Sequence, residues 1–141
     1  MSNALSIAAV TAVIKNLLEN GLVSDAIVAS VGDVLVSALP PDKIEVGTDE
    51  RAQINVFLYH VTQNRNVDWI SPEFRDRHSR INTSDKDKLR SNPPLALDLH
   101  YLLTVYGPKD FQSEILLCSV MQLLHVSPII KSELIETALN N

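Results

Sequence analysis

The sequence predicts an α+β protein, with a mixed, largely antiparallel sheet of about four strands and helices packed against it. Two stretches alternate with a period of two, as strands do, at Gln53–Thr62 and Leu95–Tyr106. Two others, at about 3–20 and 110–125, carry apolar residues at helical spacing. The length of 141 residues favours a single domain, 1–141, which is long enough to bury one hydrophobic core.

The stretch Leu95–Tyr106 is the clearest strand. One parity is entirely apolar, while the other includes Asp98, His100 and Thr104. The prolines of Pro93-Pro94 and Gly107-Pro108 bound it, because proline lacks the N–H that a regular element needs. We expect the apolar face to cover a helix layer. The face with Asp98 and His100 is expected to meet water, a polar network or a partner.

The stretch Gln53–Thr62 predicts a second strand. Both of its sides are mostly apolar, with Ile54, Val56 and Leu58 beside His60 on one side and Asn55, Phe57, Tyr59 and Val61 on the other. A strand that is apolar on both sides is typical of the centre of a sheet.

Two long helices are expected. Ser2 or Asn3 is a candidate cap for the first, and Asn20-Gly21 is its expected end, because glycine adopts the left-handed conformation readily. Asp110 is the candidate cap of the second helix, which is apolar nearly all round up to His125. Such a helix is either deeply buried or packed against another chain. After Pro128, a last short helix is expected from Ser132 through Leu139.

The region from Ser24 to Glu50 gives mixed signals. Residues 27–31 suit a helical turn or two, whereas 34–39 alternate as a strand does. Pro40-Pro41-Asp42-Lys43 predicts a turn, and Ile44–Val46 suits a short additional extended segment.

Residues 64–92 form a long polar insertion with charges of both signs and few apolar residues. A loop of this length inside a compact domain is either functional or a solvated, mobile segment. In the functional interpretation it is an arm that orders on a partner. Trp69 and Phe74 are then its anchors, and its polar contacts are Arg65, Arg75, Arg77 and Arg80.

Composition limits the function classes. A net charge of −5 and a pI near 5.2 argue against general nucleic-acid binding, which needs a positive field. No apolar run approaches the roughly 20 residues that span a bilayer, and the first residues lack the cationic start of a secretory signal. The single Cys118 forms no internal disulfide, as in a protein of a reducing compartment.

Chemical motifs are weak. Gly-x-Ser-x-Gly and Cys-x-x-Cys are missing, and Cys118 lies in an apolar helical run where it is expected to act as a small hydrophobe. His60, Asp98 and His100 lie on two strands that are candidates for neighbours, so a metal site is one interpretation. Imidazoles held by a carboxylate or a backbone group are far commoner. We therefore predict a protein that is not an enzyme and has no catalytic, cofactor-binding or metal-binding residue.

Several segments together resemble the Pvc16-type N-terminal domain family, a domain long catalogued without a function. These are the N-terminal stretch MSNALSIAAVTAVIKNLL, ALPPDK at 38–43, QINVFLYHVTQN at 53–64, PPLALDLHYLLTVYG at 93–107 and EILLCSVMQLLH at 114–125. The third and fourth are the most specific. Family members usually continue past the second helix into another strand region, so we expect either a short form here or a longer parent chain.

The resemblance implies a tail-terminator-like fold and a structural role. Such proteins are caps, or tail terminators, of phage-tail-like contractile injection systems. The implied protein assembles in the bacterial cytoplasm as a homo-oligomer, a ring of six subunits, at the end of the particle distal to the baseplate. Its implied partners are the inner tube protein and the last layer of the sheath protein, with no nucleic acid, membrane or cofactor.

Two alternatives stay open from the sequence. One is an inner-tube or baseplate adaptor of the same kind of particle, which also forms a ring. The other is a small metal-binding enzyme built on His60, Asp98 and His100.

Overall fold

The computed structural model describes residues 4–23, 31–47, 51–66 and 96–140. In chain order the elements are α1 (Ser6–Val23), β1 (Val34–Ser37), a 3-10 turn (Pro41–Lys43), β2 (Ala52–Gln63), β3 (Leu97–Tyr106), α2 (Gln112–Val126) and α3 (Ser132–Asn140). Helices and sheet are present together, which confirms the α+β class. The candidate caps Ser2 and Asn3, and most of the 64–92 insertion, lie outside the described residues.

The described strands form one mixed sheet in the order β1-β2-β3. Strands β1 and β2 run parallel, with Val34 opposite Ala52. The far end of β2 runs antiparallel to β3, since Asn64 N donates to Ala96 O at 3.0 Å while Thr62 meets His100. The prediction that β2 lies at the centre is confirmed.

The expected count of about four strands exceeds by one the count in the described part of the chain. The additional extended segment at Ile44–Val46 is not a strand. Ile44 has extended backbone angles, φ −91° and ψ 120°, but its N–H is used by Pro41 O, which closes the 3-10 turn. Extended angles without a neighbouring strand do not make a ladder.

The core of the protein is shared by two helices and the sheet. Its fully buried members are Leu18 and Leu22 of α1, Val36 of β1, Ala52, Ile54 and Val56 of β2, and Leu116 and Val120 of α2. Tyr101, Leu103 and Val105 of β3 pack against this cluster, which confirms the expected apolar face of that strand. Each fully buried aliphatic side chain contributes about 1.5–3 kcal/mol relative to exposure.

By its internal contacts the chain divides into two compact units. One comprises Met1–Tyr59 and Tyr101–Asn141, and it contains the whole core described above. The other comprises His60–His100, of which the described residues are the adjoining ends of β2 and β3.

The expected end of the first helix at Asn20-Gly21 is wrong, because α1 continues to Val23. Gly21 instead lies against α2. A Cβ at this position would lie 2.6 Å from Leu123 Cδ1 and still closer to Cδ2. Glycine therefore serves here as the residue that lets two helices approach, and not as a helix terminator.

The expected cap Asp110 is also wrong. The residue before α2 is Phe111, whose φ of 65° is left-handed, and it makes no side-chain cap. The side chain of Gln112 instead fixes the turn before the helix: its Oε1 accepts from Lys109 N at 3.2 Å, and its Nε2 donates to Val31 O at 3.3 Å. Gly107 allows this close turn, since a Cβ there would lie 2.6 Å from Gln112 Cβ.

Asn55 is a fully buried polar residue on β2 that fixes the end of β1. Its Oδ1 accepts from Leu39 N at 2.9 Å and from Ser37 Oγ at 3.0 Å, and its Nδ2 donates to Leu39 O at 2.8 Å. The side-chain amide of Asn55 thus makes the pair of hydrogen bonds with Leu39 that the backbone of a neighbouring strand residue would make. It holds the chain between β1 and the turn at Pro41–Lys43.

We expect Gly21→Ala to lower the free energy of unfolding by about 1–3 kcal/mol, because the added methyl group overpacks the contact with Leu123. On an exposed helix face the same change would stabilise by about 1 kcal/mol. Chemical denaturation measures whether the substitution lowers or raises the free energy of unfolding. In a double-mutant cycle with Leu123→Ala, the loss caused by Gly21→Ala should shrink, and an undiminished loss would contradict the assigned contact.

We expect Asn55→Ala to cost about 2–3 kcal/mol, since two backbone partners and one hydroxyl lose a buried amide. The control is Gln53→Ala, which removes only a 2.9 Å bond to Ser37 from a half-buried residue. That variant should cost under about 1 kcal/mol. Equal denaturation midpoints for the two variants would show that Asn55 has no special role.

Candidate functional site

Of the six predicted interface residues, the structure describes only Arg65. It is exposed and lies just beyond the end of β2, where Asn66 N donates to Asn64 Oδ1 at 2.9 Å in a local turn. The other five, Trp69, Phe74, Arg75, Arg77 and Arg80, lie outside the described residues. Their role as an arm stays a prediction.

The adjoining ends of β2 and β3 carry a polar cross-strand cluster. The rings of His60 and His100 lie 5.4 Å apart, centroid to centroid, at an angle of 42°. Thr62 Oγ1 lies 3.0 Å from His100 Nε2, and Asn64 Nδ2 donates to Asp98 Oδ1 at 3.0 Å. The face of β3 with Asp98 and His100 therefore meets a polar network on its neighbour, one of the expected outcomes.

This cluster brings the two histidines together but does not gather a metal-ligand set. Asp98 is held by Asn64, and His100 by Thr62. Among the described residues, no group of three or more His, Cys, Asp or Glu is arranged to hold a metal ion. Sequence reasoning named His60, Asp98 and His100 but missed Thr62 and Asn64. The period of two on β2 places both on the side of His60.

Helix α2 has one buried face and one exposed apolar face. The buried face consists of Leu116, Ser119 and Val120. On the other face Leu117, Met121 and Leu124 are 42%, 64% and 39% exposed. We call these three residues, which follow one another at i, i+4 and i+7, the α2 ridge. The apolar helix is thus not deeply buried within the described part of the chain. Cys118, expected inside an apolar run, is exposed as well.

An open groove lies between the N-terminal half of α1 and the sheet. We call it the α1 groove; it has a volume of about 580 Å³ and is lined by Ala4, Ile7, Ala8, Thr11, Ala12, Lys15, Ala38 and Leu58. The Thr11 hydroxyl is satisfied by Ile7 O at 3.2 Å and by Tyr101 OH at 2.8 Å. The remaining lining is apolar except for Lys15, which pairs with Glu19 at 3.6 Å.

The sequence signal for this groove was available but ambiguous. Alanines at 4, 8 and 12 recur on one side of α1, where large residues would fill the space above Ala38 and Leu58. In a sequence, the same alanines are equally compatible with close core packing. No helix in the described part of the chain is both long and apolar enough to cross a bilayer.

Comparison with known proteins gives one match. The family model of the Pvc16 N-terminal domain matches residues 9–141, nearly the whole chain. The chain belongs to the Pvc16 N-terminal domain family. The resemblance in the sequence is thereby confirmed. Searches of curated proteins and of solved structures return no match.

Family membership gives the two surfaces a context. A Pvc16 N-terminal domain is a structural component of a contractile injection system, a phage-tail-like particle. Components of such particles act through surfaces that bind other subunits. In the described part of the chain, the α2 ridge and the α1 groove both expose apolar side chains to water.

Proposed function

We propose that this Pvc16 N-terminal domain is the structural cap, or tail terminator, of a contractile injection particle. It forms a hexameric ring on the last layer of the inner tube and engages the last layer of the sheath. The ring ends growth of the tube and keeps the two layers in register. It lies at the end distal to the baseplate and assembles in the bacterial cytoplasm. The observation that carries this proposal is the family match over residues 9–141.

The surfaces of the described residues support a binding role. A ring needs one patch that meets a different patch on the next subunit. The α2 ridge, with Met121 64% exposed, is an apolar patch suited to such a contact. A cap changes no covalent bond, so the proposal assigns no catalytic residue and no cofactor. The net charge of −5 favours protein partners over nucleic acid.

The contacts to tube and sheath are proposed for the arm within 64–92. Arg65 begins this arm, directly beyond the polar cluster on the ends of β2 and β3. Trp69 and Phe74 then serve as apolar anchors, and Arg75, Arg77 and Arg80 as donors to carboxylates of the partner. Aromatic and arginine side chains are the residues that dominate interface energetics.

The end of the particle that carries the protein tests the cap assignment. A small peptide tag on the C-terminus, detected by gold labelling in electron micrographs, should mark only the end opposite the baseplate. Particles from cells lacking the gene should have tubes of uncontrolled length. Label at the baseplate end would overturn the cap in favour of the adaptor alternative.

Deletion of residues 66–90 tests the arm. We expect a folded protein, with an unchanged unfolding transition, that no longer joins particles. The finer test is Trp69→Ala with Phe74→Ala, which should lower incorporation at least about tenfold if both are interface anchors. Its matched control is Asp87→Ala with Lys88→Ala, in the charge run of the same segment, which should be incorporated normally. Full incorporation of the deletion variant would refute the arm.

A further inference from the structure

We propose that the α2 ridge of one copy of this chain docks in the α1 groove of the next copy, and that this contact repeats around the ring. The inference rests on the proposed function for the ring, and it adds which two surfaces meet. The partner is thus a second copy of the chain. The size of the ridge side chains, the lengths of the ridge and the groove, and the charges beside them each favour this occupant.

The groove continues from the core, and four of the eight described residues that line it are alanines. Along the sheet, buried Val36 is followed by Ala38, and buried Val56 is followed by Leu58, which line the groove. Above them lie the exposed Ala4, Ala8 and Ala12, with Ile7 beside them. Large apolar side chains from outside would complete the layer that Leu18 and Leu22 complete further along α1.

The ridge supplies side chains of the complementary kind. Leu117, Met121 and Leu124 are long, apolar and substantially exposed. Methionine adapts to irregular gaps, which suits a groove with uneven walls. Both surfaces belong to the same compact unit of the chain, so every copy presents a ridge and a groove together.

Length and charge fix the direction of docking. The groove extends along α1 from Ala4 to Lys15, roughly 16 Å, and Glu114 to Leu124 spans about 15 Å at the helical rise. Lys15 lies at one end of the groove, and exposed Glu114 lies one turn before the ridge. Antiparallel docking of the two helices puts this carboxylate beside that ammonium group. The reverse orientation would forgo this attraction, and Lys15 would keep only its present pair with Glu19.

The proposed contact is heterologous. One copy's ridge occupies a neighbour's groove, and its own groove accepts a third copy's ridge. Such a contact propagates head to tail and closes into a ring when the rotation permits.

The test uses the full chain at concentrations where the wild type assembles. Met121→Lys removes the ridge, and Ala8→Trp fills the groove; each should weaken self-association at least about tenfold. The matched control Val126→Lys alters an exposed apolar residue of α2 outside the ridge and should assemble as the wild type does. Circular dichroism and thermal unfolding confirm that the variants fold, and native mass spectrometry measures their oligomeric state.

A mixture tests whether ridge and groove bind each other, and a wild-type assembly larger than a dimer shows that the contact is heterologous. Met121→Lys retains a groove and Ala8→Trp retains a ridge, so the two variants together should form heterodimers and nothing larger. Charge reversal is a second test. Lys15→Glu and Glu114→Lys should each weaken the assembly, and the double variant should regain it.

The outcomes separate this inference from the proposed function. Rings that persist in both Met121→Lys and Ala8→Trp overturn the ridge-and-groove contact while leaving the cap intact. Loss of assembly in Met121→Lys alone also overturns it, because the groove then has another occupant, such as an apolar ligand, another segment of this chain or the tube protein. A wild type that stays monomeric overturns the contact. If its label is also missing from the distal end of particles, the cap assignment falls separately.

Discussion

Burial of β2 at the centre of the sheet is the constraint on which the rest of the structure depends. Ile54, Asn55 and Val56 are consecutive residues of this strand, they point alternately to its two sides, and all are essentially inaccessible to water. One side therefore supports the core with α1 and α2. The other holds an amide that must be fully hydrogen-bonded, and the backbone of Leu39 satisfies it. The position of β1 follows from that requirement.

The sequence predicted the elements well where local pattern and tertiary packing agree. Strand alternation located β2 and β3 to within a few residues, and apolar sides on both parities identified β2 as central. Predictions were wrong where a distant residue overrides a local preference. Gly21 lies inside a helix, where Leu123 packs on it. Phe111 rather than Asp110 precedes α2, and Gln112 at its start bonds to Val31 O. Partners more than 80 positions away leave no signal in a local window.

The candidate surfaces were predictable to a similar extent. An apolar excess on the second helix indicated that some of its surface is not used by the core, and the exposed α2 ridge is that excess. Which face stays exposed depends on where β2 and α1 lie, so the residues of the ridge follow only from the fold. The groove is harder to predict from the sequence than the ridge, because it is the space that Ala8 and Ala12 leave above Ala38 and Leu58. Side chains from three separate parts of the chain define it.

An assembling protein must expose enough apolar surface to bind its copies and little enough to stay dispersed before assembly. The proposed interface, divided into a ridge and a groove, would meet both conditions. The ridge is one stripe of α2, flanked by Glu114 and His125, while four of the eight residues that line the groove are alanines. The proposed contact pairs unlike patches, because the groove is open space beside α1 whereas the ridge protrudes from α2. A head-to-tail contact between unlike patches is the condition for a chain of subunits that closes into a ring.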